Sequence, residues 1–138
     1  MVVDIPDRAM THLRPSERSL FRRFLALDPI GEALYDFDVR LGEGMPLDPT
    51  WPDWLSRMAS ALTQRRADVV AHTTTEDFIL EIKDRAGTTA IGQLLCYRAL
   101  YLRDFKPTNP VRLGVITPRL GFDLEPVFSE FDIRAFLV

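Results

Sequence analysis

The amino-acid sequence predicts an α/β domain in which helices flank a mixed β-sheet on both faces. Segments with the apolar spacing of helices alternate with short apolar segments typical of strands. One of them, "VRLGVIT", reads as a strand of the buried type, which requires helices on both sides of the sheet. The chain has 138 residues, of which 46% are hydrophobic and 27% charged, as in an ordinary globular protein. We therefore expect one domain over residues 1–138.

The first predicted helix lies in "RPSERSLFRRFLALDP", and the residues before it, 1–14, are expected to be irregular. Ser16 stands near the helix start, and Asp28 ends the helix because a residue before a proline is restricted away from helical geometry. A half-buried strand follows in "ALYDFDVRLG", where apolar and polar residues alternate. Its expected buried side consists of Tyr35, Phe37, Val39 and Leu41.

Residues 43–64 are interpreted as an insertion that shapes substrate access or a protein contact. A proline-rich loop, "EGMPLDPTWP", is followed by a short helix, "DWLSRMASALTQ", with Asp53 as the expected N-cap. Because they recur at helical spacing, four apolar residues of this helix are expected to face the core: Trp54, Leu55, Met58 and Leu62.

The second half of the chain begins with a predicted hairpin, whose strands lie near residues 66–73 and 77–83. A helix of about 17 residues follows in "GTTAIGQLLCYRALYLRDF". The buried strand "VRLGVIT", a short helix in "DLEPVFSEF" and a final strand in "DIRAFLV" complete the order.

Each strand of the hairpin carries a carboxylate among apolar neighbours, Asp68 in "RADVVA" and Glu81 in "ILEIK". If Thr74 and Thr75 form a two-residue turn, Asp68 lies directly opposite Glu81, whereas a longer loop shifts the register by about one residue. Opposed like charges destabilise a sheet, and burial adds to that cost. A divalent cation between the two carboxylates would turn this repulsion into attraction.

Lys83 follows Glu81 by two residues and is therefore expected on the same side of the strand. Among the 17 basic residues only Lys83 and Lys106 are lysines, which favours a site that needs a compact ammonium group at "EIK". The sequence leaves a second interpretation open, in which both carboxylates form ion pairs with arginine or lysine on a solvated strand face. The candidate partners in that case are Arg66, Arg85 and Lys83.

Asp68, a spacer of twelve residues and then "EIK" resemble the motif of the PD-(D/E)XK nuclease superfamily. In the next helix, Gln93 and Tyr97 of "GQLLCY" match the Gln-x-x-x-Tyr pattern of its RecB-like branch. The resemblance covers roughly residues 16–118 and departs from the superfamily at Ala67, where a proline is usual. It implies a restriction-endonuclease-like fold with an αβββαβ core around a mixed central sheet.

The resemblance also implies residue roles in metal-dependent DNA phosphodiester hydrolysis, by internal or end cutting. Asp68, Glu81 and the backbone carbonyl of Ile82 would hold Mg²⁺ or Mn²⁺, and Lys83 would assist the attacking water. Gln93 would orient groups around the ion, and Tyr97 would lie near the substrate. Glu17 on the first helix is either a further acidic residue of the site or a helix cap. The arginines that could contact phosphates are Arg65, Arg66, Arg85, Arg98 and Arg103, and Arg66 and Arg85 are the preferred candidates.

Charge and composition leave two functions open. The net charge of −3 is not that of a protein that wraps nucleic acid nonspecifically, and it favours a non-catalytic assembly protein of nuclease fold, such as a phage head–tail (neck) component. The intact set of motif residues favours the DNA-cleaving enzyme. No apolar run approaches the length of a membrane span, and Cys96 as the single cysteine excludes an internal disulfide. We expect a cytoplasmic location, or a virion if the chain is phage-encoded, with DNA as partner and a homo-oligomer or larger virion or repair assembly as an open alternative.

Overall fold

A five-stranded mixed sheet flanked by helices forms the protein, as the computed structural model shows for residues 4–138. The expected α/β class is therefore confirmed, although residues 1–3 of the expected domain lie outside the described range. One turn of 3₁₀ helix, Asp7–Met10, corrects the prediction of an irregular N-terminal segment. The other elements are α1 (Pro15–Leu27), β1 (Leu34–Leu41), α2 (Asp53–Thr63), β2 (Arg65–His72), β3 (Asp77–Ile82), α3 (Thr88–Phe105), β4 (Val111–Thr117), α4 (Glu125–Glu130) and β5 (Ile133–Leu137).

The strands are arranged in the order β1-β2-β3-β4-β5. β1, β2 and β3 pair antiparallel, whereas β4 runs parallel to β3 and β5 runs parallel to β4. Without α2, the chain from α1 to β4 follows the expected order of helix, three strands, helix and strand. None of the helices within residues 4–138 is long and apolar enough to cross a membrane.

Two hydrophobic layers cover the sheet, one on each face. On one face α1 contributes Phe21 and Phe24, which cluster with Leu80 of β3. On the other face α3 contributes Leu94, which clusters with Ile79 of β3. Since successive residues of a strand point to opposite faces, β3 is buried along its whole length between the two layers.

β1 changes faces halfway along its length, which corrects the expected buried side. Tyr35 and Phe37 pack in the α1 layer, as one alternating face requires. Val39 and Leu41 belong to the α3 layer instead. Between them Asp38 has φ +51°, in the left-handed region, and this interrupts the regular alternation of the strand.

α2 presents three of its four predicted core residues to solvent, so the prediction was wrong for Trp54, Met58 and Leu62, whereas Leu55 is half-buried. Trp54 is 67% exposed, Met58 46% and Leu62 72%, and Ser56 is the buried residue of the helix. The polar side of the helix holds the preceding loop: Ser56 Oγ accepts a 2.6 Å hydrogen bond from the backbone N–H of Asp48. Ser60 Oγ likewise donates to the Met45 carbonyl oxygen. Since these two hydrogen bonds turn the polar side inward, the opposite apolar side must face outward.

Asp53 is the first residue of α2 and not its N-cap, a position that Pro52 occupies. The Asp53 carboxylate accepts a 2.8 Å hydrogen bond from Arg57 Nε one turn later. The prediction of a capping aspartate was therefore displaced by one residue, and Asp53 instead forms an i,i+4 ion pair on the surface.

Candidate functional site

The hairpin of β2 and β3 has the register predicted for a two-residue turn. Thr73 N–H donates to the Glu76 carbonyl at 2.9 Å, which leaves Thr74 and Thr75 as the turn residues. The ladder extends from His72 opposite Asp77 to Val69 opposite Leu80. The next residues along the two strands are Asp68 and Glu81, so the register brings the two carboxylates together at the end of the ladder.

The two acidic residues are joined by crossed hydrogen bonds between side chain and backbone. Glu81 Oε1 accepts a bond from the backbone N–H of Asp68 at 3.1 Å. Asp68 Oδ2 accepts one from the backbone N–H of Ile82 at 3.0 Å. The carboxylates thus take the place of carbonyl acceptors between the strands, and each is held by the strand opposite to its own.

Burial and mutual repulsion dominate the electrostatics of this pair. Glu81 is 3% exposed, and burial together with the negative charge of Asp68 raises the pKa of Glu81 to about 8. Burial is also the main cause that raises the pKa of Asp68. Lys83 Nζ lies 3.8 Å from Glu81 Oε2 and opposes both shifts. Without a cation, the pair therefore retains a proton close to neutral pH.

Arginine does not neutralise these carboxylates. Arg66 forms a 3.0 Å ion pair with Asp38, and Arg85 is exposed. Among the hydrogen bonds and ion pairs of residues 4–138, none joins a guanidinium to Asp68 or Glu81. The alternative of ion pairs with Arg66 or Arg85 is therefore wrong, whereas the pairing of Glu81 with Lys83 that it also named is present at 3.8 Å. Within the described range, neither of the two preferred phosphate-binding arginines forms a hydrogen bond or ion pair with the carboxylates.

Tyr97 of α3 lies close enough to the same carboxylates for their charges to affect its pKa. Tyr97 is buried, and its pKa is raised first by burial and then by the negative charges of Glu81 and Asp68. Gln93 lies one turn earlier on α3. Its Oε1 is the buried side-chain polar atom that lacks a hydrogen-bond partner among residues 4–138. An unpaired buried acceptor is costly, so Gln93 has spare capacity for a donor or a cation.

The N-terminal segment adds two contacts. His12 Nε2 hydrogen-bonds the Asp68 carbonyl oxygen at 3.0 Å, which sequence spacing could not reveal because 56 residues separate the two. Glu17 accepts a 2.8 Å hydrogen bond from the Arg14 N–H and so caps α1, as one of its two expected roles required. The charge of Glu17 also contributes to the raised pKa of Asp68.

A second titratable cluster lies at the turn end of the hairpin. His72 is bridged between two carboxylates, with Nε2 at 2.8 Å from Asp36 Oδ2 and Nδ1 at 3.2 Å from Asp77 Oδ1. Tyr101 donates to the other oxygen of Asp77 at 2.8 Å. Burial lowers the pKa of His72, but the hydrogen bonds to both carboxylates outweigh burial and raise it. Four elements, β1, β2, β3 and α3, are joined by this cluster.

The donors at the carboxylate pair fit a hard divalent cation. The pair consists of two oxygen ligands with excess negative charge, and Gln93 Oε1 of α3 is a further buried oxygen without a hydrogen-bond partner among residues 4–138. No group of three or more His, Cys, Asp and Glu side chains with metal-binding geometry occurs within the described range. An ion with two protein carboxylates and several water ligands, as is usual for Mg²⁺, suits this composition better than Zn²⁺.

Comparison with known proteins shows distant likeness to solved structures. No protein-family profile matches the chain, and no curated protein does. A repair endonuclease from Pyrococcus abyssi aligns with a TM-score of 0.47 and 12% identity, over 99% of this chain and 48% of that one. A protein of unknown function, AF1548, aligns with a TM-score of 0.45 and 14% identity, over 84% of this chain and 53% of that one. The chain spans about half the length of each, and likeness at this level decides nothing about activity.

Proposed function

We propose that this domain hydrolyses DNA phosphodiester bonds with the help of Mg²⁺ or Mn²⁺. The observation that carries the proposal is the pair of the buried Glu81 and the half-buried Asp68, which has no guanidinium partner among residues 4–138 and keeps Lys83 at 3.8 Å. A structural ion pair needs a cation for each carboxylate, whereas this pair shares one ammonium group. Without a further cation the pair must hold a proton, and carboxylates perturbed this far by burial and mutual repulsion are typical of functional sites.

The proposed ligands are Asp68, Glu81 and the backbone carbonyl of Ile82. A bound divalent ion would polarise a phosphoryl oxygen and lower the pKa of a water molecule. Ile82 N–H already holds Asp68 in place, so the strand backbone and the first carboxylate form one rigid unit. Because the hydrogen bonds to Asp68 N–H and Ile82 N–H favour ionised carboxylates, they favour the form that binds a cation.

The neighbouring side chains have complementary proposed roles. Lys83 would hold the attacking water and offset the charge that develops on phosphorus while the water attacks in line and the 3′ oxygen leaves. Gln93 would use its unpaired Oε1 to accept a hydrogen bond from a water at the site. Tyr97, whose raised pKa keeps its hydroxyl protonated, would donate a hydrogen bond to the substrate.

Cleavage of plasmid and linear DNA tests this function. With Mg²⁺ or Mn²⁺ the wild-type protein is expected to nick or degrade DNA, and Glu81→Gln is expected to be inactive. Lys83→Ala is expected to lose about 10²–10³-fold in rate, the usual effect of removing one group that stabilises developing charge. Arg57→Ala, an exposed substitution on α2, is the control and should cleave like wild type. Equal cleavage by wild type and both site variants would refute the catalytic assignment.

The exposed apolar side of α2 favours a second candidate, an assembly protein of nuclease fold. Trp54, Met58 and Leu62 recur every four residues on this helix and are all substantially exposed. Exposed apolar surface of this kind is typical of protein–protein contacts, including those of a homo-oligomer or a larger virion or repair assembly. Wild-type protein that binds Mn²⁺ but cleaves no DNA would favour this candidate over the enzyme.

A further inference from the structure

We propose that the cleft between the β1–α2 loop and α3 binds a phosphate of the substrate strand close to the one that is cleaved. The inference rests on the proposed nuclease function and adds to it a second contact on the same strand. The cleft has a volume of about 460 Å³. Its lining comes from the end of β1 and the loop after it, from the end of α2, from Arg65 at the start of β2, and from Leu100 and Arg103 of α3.

β2 and α3 each carry residues of both the carboxylate site and the cleft. Arg65 precedes Asp68 by three residues, which corresponds to about 10 Å along a strand. Tyr97 lies within electrostatic range of the carboxylates and of Arg65. Leu100 follows Tyr97 by three residues on α3 and lines the cleft. A strand that passes Tyr97 therefore reaches the cleft within about three nucleotides, at a rise of about 3.4 Å each.

The floor of the cleft is held in place by hydrogen bonds. Gly42 N–H donates to Asp104 Oδ2 at 2.7 Å, and Gln64 Nε2 donates to the Gly42 carbonyl at 2.8 Å. Met45 N–H donates to Thr63 Oγ1 at 2.6 Å. The part of the loop that lines the cleft is therefore fixed before a ligand arrives, so little ordering is required on binding.

The charges that line the cleft are Arg65, Arg103 and Glu43. Arg103 also forms a 3.0 Å pair with the neighbouring Asp104. Arg65 takes part in no hydrogen bond or ion pair of a side chain among residues 4–138, in contrast to Arg66 beside it. A guanidinium that can make two parallel hydrogen bonds is well suited to a phosphodiester, and Arg65 has its donors available. The negative charge of Glu43 weakens the attraction of the cleft for a phosphate, so removing that charge should have the opposite effect to removing an arginine.

Binding of a labelled DNA oligonucleotide, measured by fluorescence anisotropy in the Glu81→Gln background, is the first test. Arg65→Ala and Arg103→Ala are each expected to weaken binding about fivefold or more and to reduce the slope of log K against log[salt] by about 0.7–0.9. Glu43→Gln is expected to tighten binding. Arg57→Ala is the matched control, because its guanidinium is exposed on α2 and outside the cleft. Equal affinity of the Arg65 and Arg103 variants and their parent would overturn the proposal.

Replacing single phosphates by uncharged methylphosphonates identifies the contacted position. Up to about three positions on each side of the cleavage point should be scanned, as the spacing above requires. Replacing the phosphate at one position is expected to weaken binding to the parent protein but not to the Arg65→Ala variant, because that variant has already lost the contact. Additive losses at every position would overturn the proposal. Failure of the proposed nuclease function can be distinguished from failure of this proposal, because the wild-type protein, with all its arginines in place, would then cleave no DNA.

Discussion

Replacing Glu81 by glutamine is expected to make the metal-free protein more stable at alkaline pH. Burial and the charge of Asp68 raise the pKa of Glu81 from 4.5 to about 8 in the folded state. The folded protein therefore binds this proton more tightly than the unfolded chain does. The resulting stabilisation is complete below pH 4.5 and is lost as the pH rises to about 8. Glutamine keeps the shape and the hydrogen bond to Asp68 N–H but carries no charge at any pH.

The magnitude follows from the shift. A difference of one pKa unit corresponds to about 1.4 kcal/mol, so the shift from 4.5 to about 8 is worth about 5 kcal/mol of unfolding free energy over that range. This is a large fraction of the ~5–15 kcal/mol that stabilises a typical domain. Urea unfolding with EDTA, from about pH 5 to about pH 9, should show a steep decline for wild type and a flatter profile for Glu81→Gln.

A divalent cation should replace the proton and restore stability. Mg²⁺ at about 100 times its Kd should add about 2.7 kcal/mol to the wild-type protein above pH 8 and nothing to Glu81→Gln. Glu130→Gln is the control, because this exposed residue of α4 lies outside the site. A wild-type stability that is independent of pH, or an equal decline in both proteins, would refute the reasoning about the buried pair.

Three further predictions concern the rest of the structure. The raised pKa of His72 means that its stabilising contribution is complete below pH 6.5 and is lost as the pH rises through the folded-state value, and Asp77→Asn should reduce that pH dependence in urea unfolding. Leu62→Ser should change the unfolding free energy by less than about 0.5 kcal/mol because Leu62 is exposed, whereas Phe21→Ala should cost about 3–5 kcal/mol because Phe21 is buried. A large loss for Leu62→Ser would show that α2 packs differently. Gly44→Ala should destabilise by about 1–3 kcal/mol in thermal unfolding, because a Cβ there would lie 1.9 Å from a carbonyl oxygen of α2 and φ is +74°, and an unchanged midpoint would contradict this geometry.

The local pattern of the sequence determined the elements and the central hairpin. Apolar spacing located the helices and strands, because each element must bury one face or stripe against the sheet. Counting residues gave the register for a two-residue turn at Thr74 and Thr75 but left a longer loop open, and the structure has the two-residue turn. The opposition of Asp68 and Glu81 was therefore one of the registers that the sequence offered.

Tertiary structure decided the features that depend on residues distant in the chain. The left-handed backbone at Asp38 moved half of β1 to the other layer, and loop hydrogen bonds turned the apolar side of α2 outward. The contact of His12 with Asp68 and the cleft that brings Arg65 together with Arg103 likewise arise between distant segments. Periodicity indicates which side of an element is apolar. Whether another element covers that side is decided only when the chain packs, because the burial of a segment depends on its neighbours as well as on its own residues.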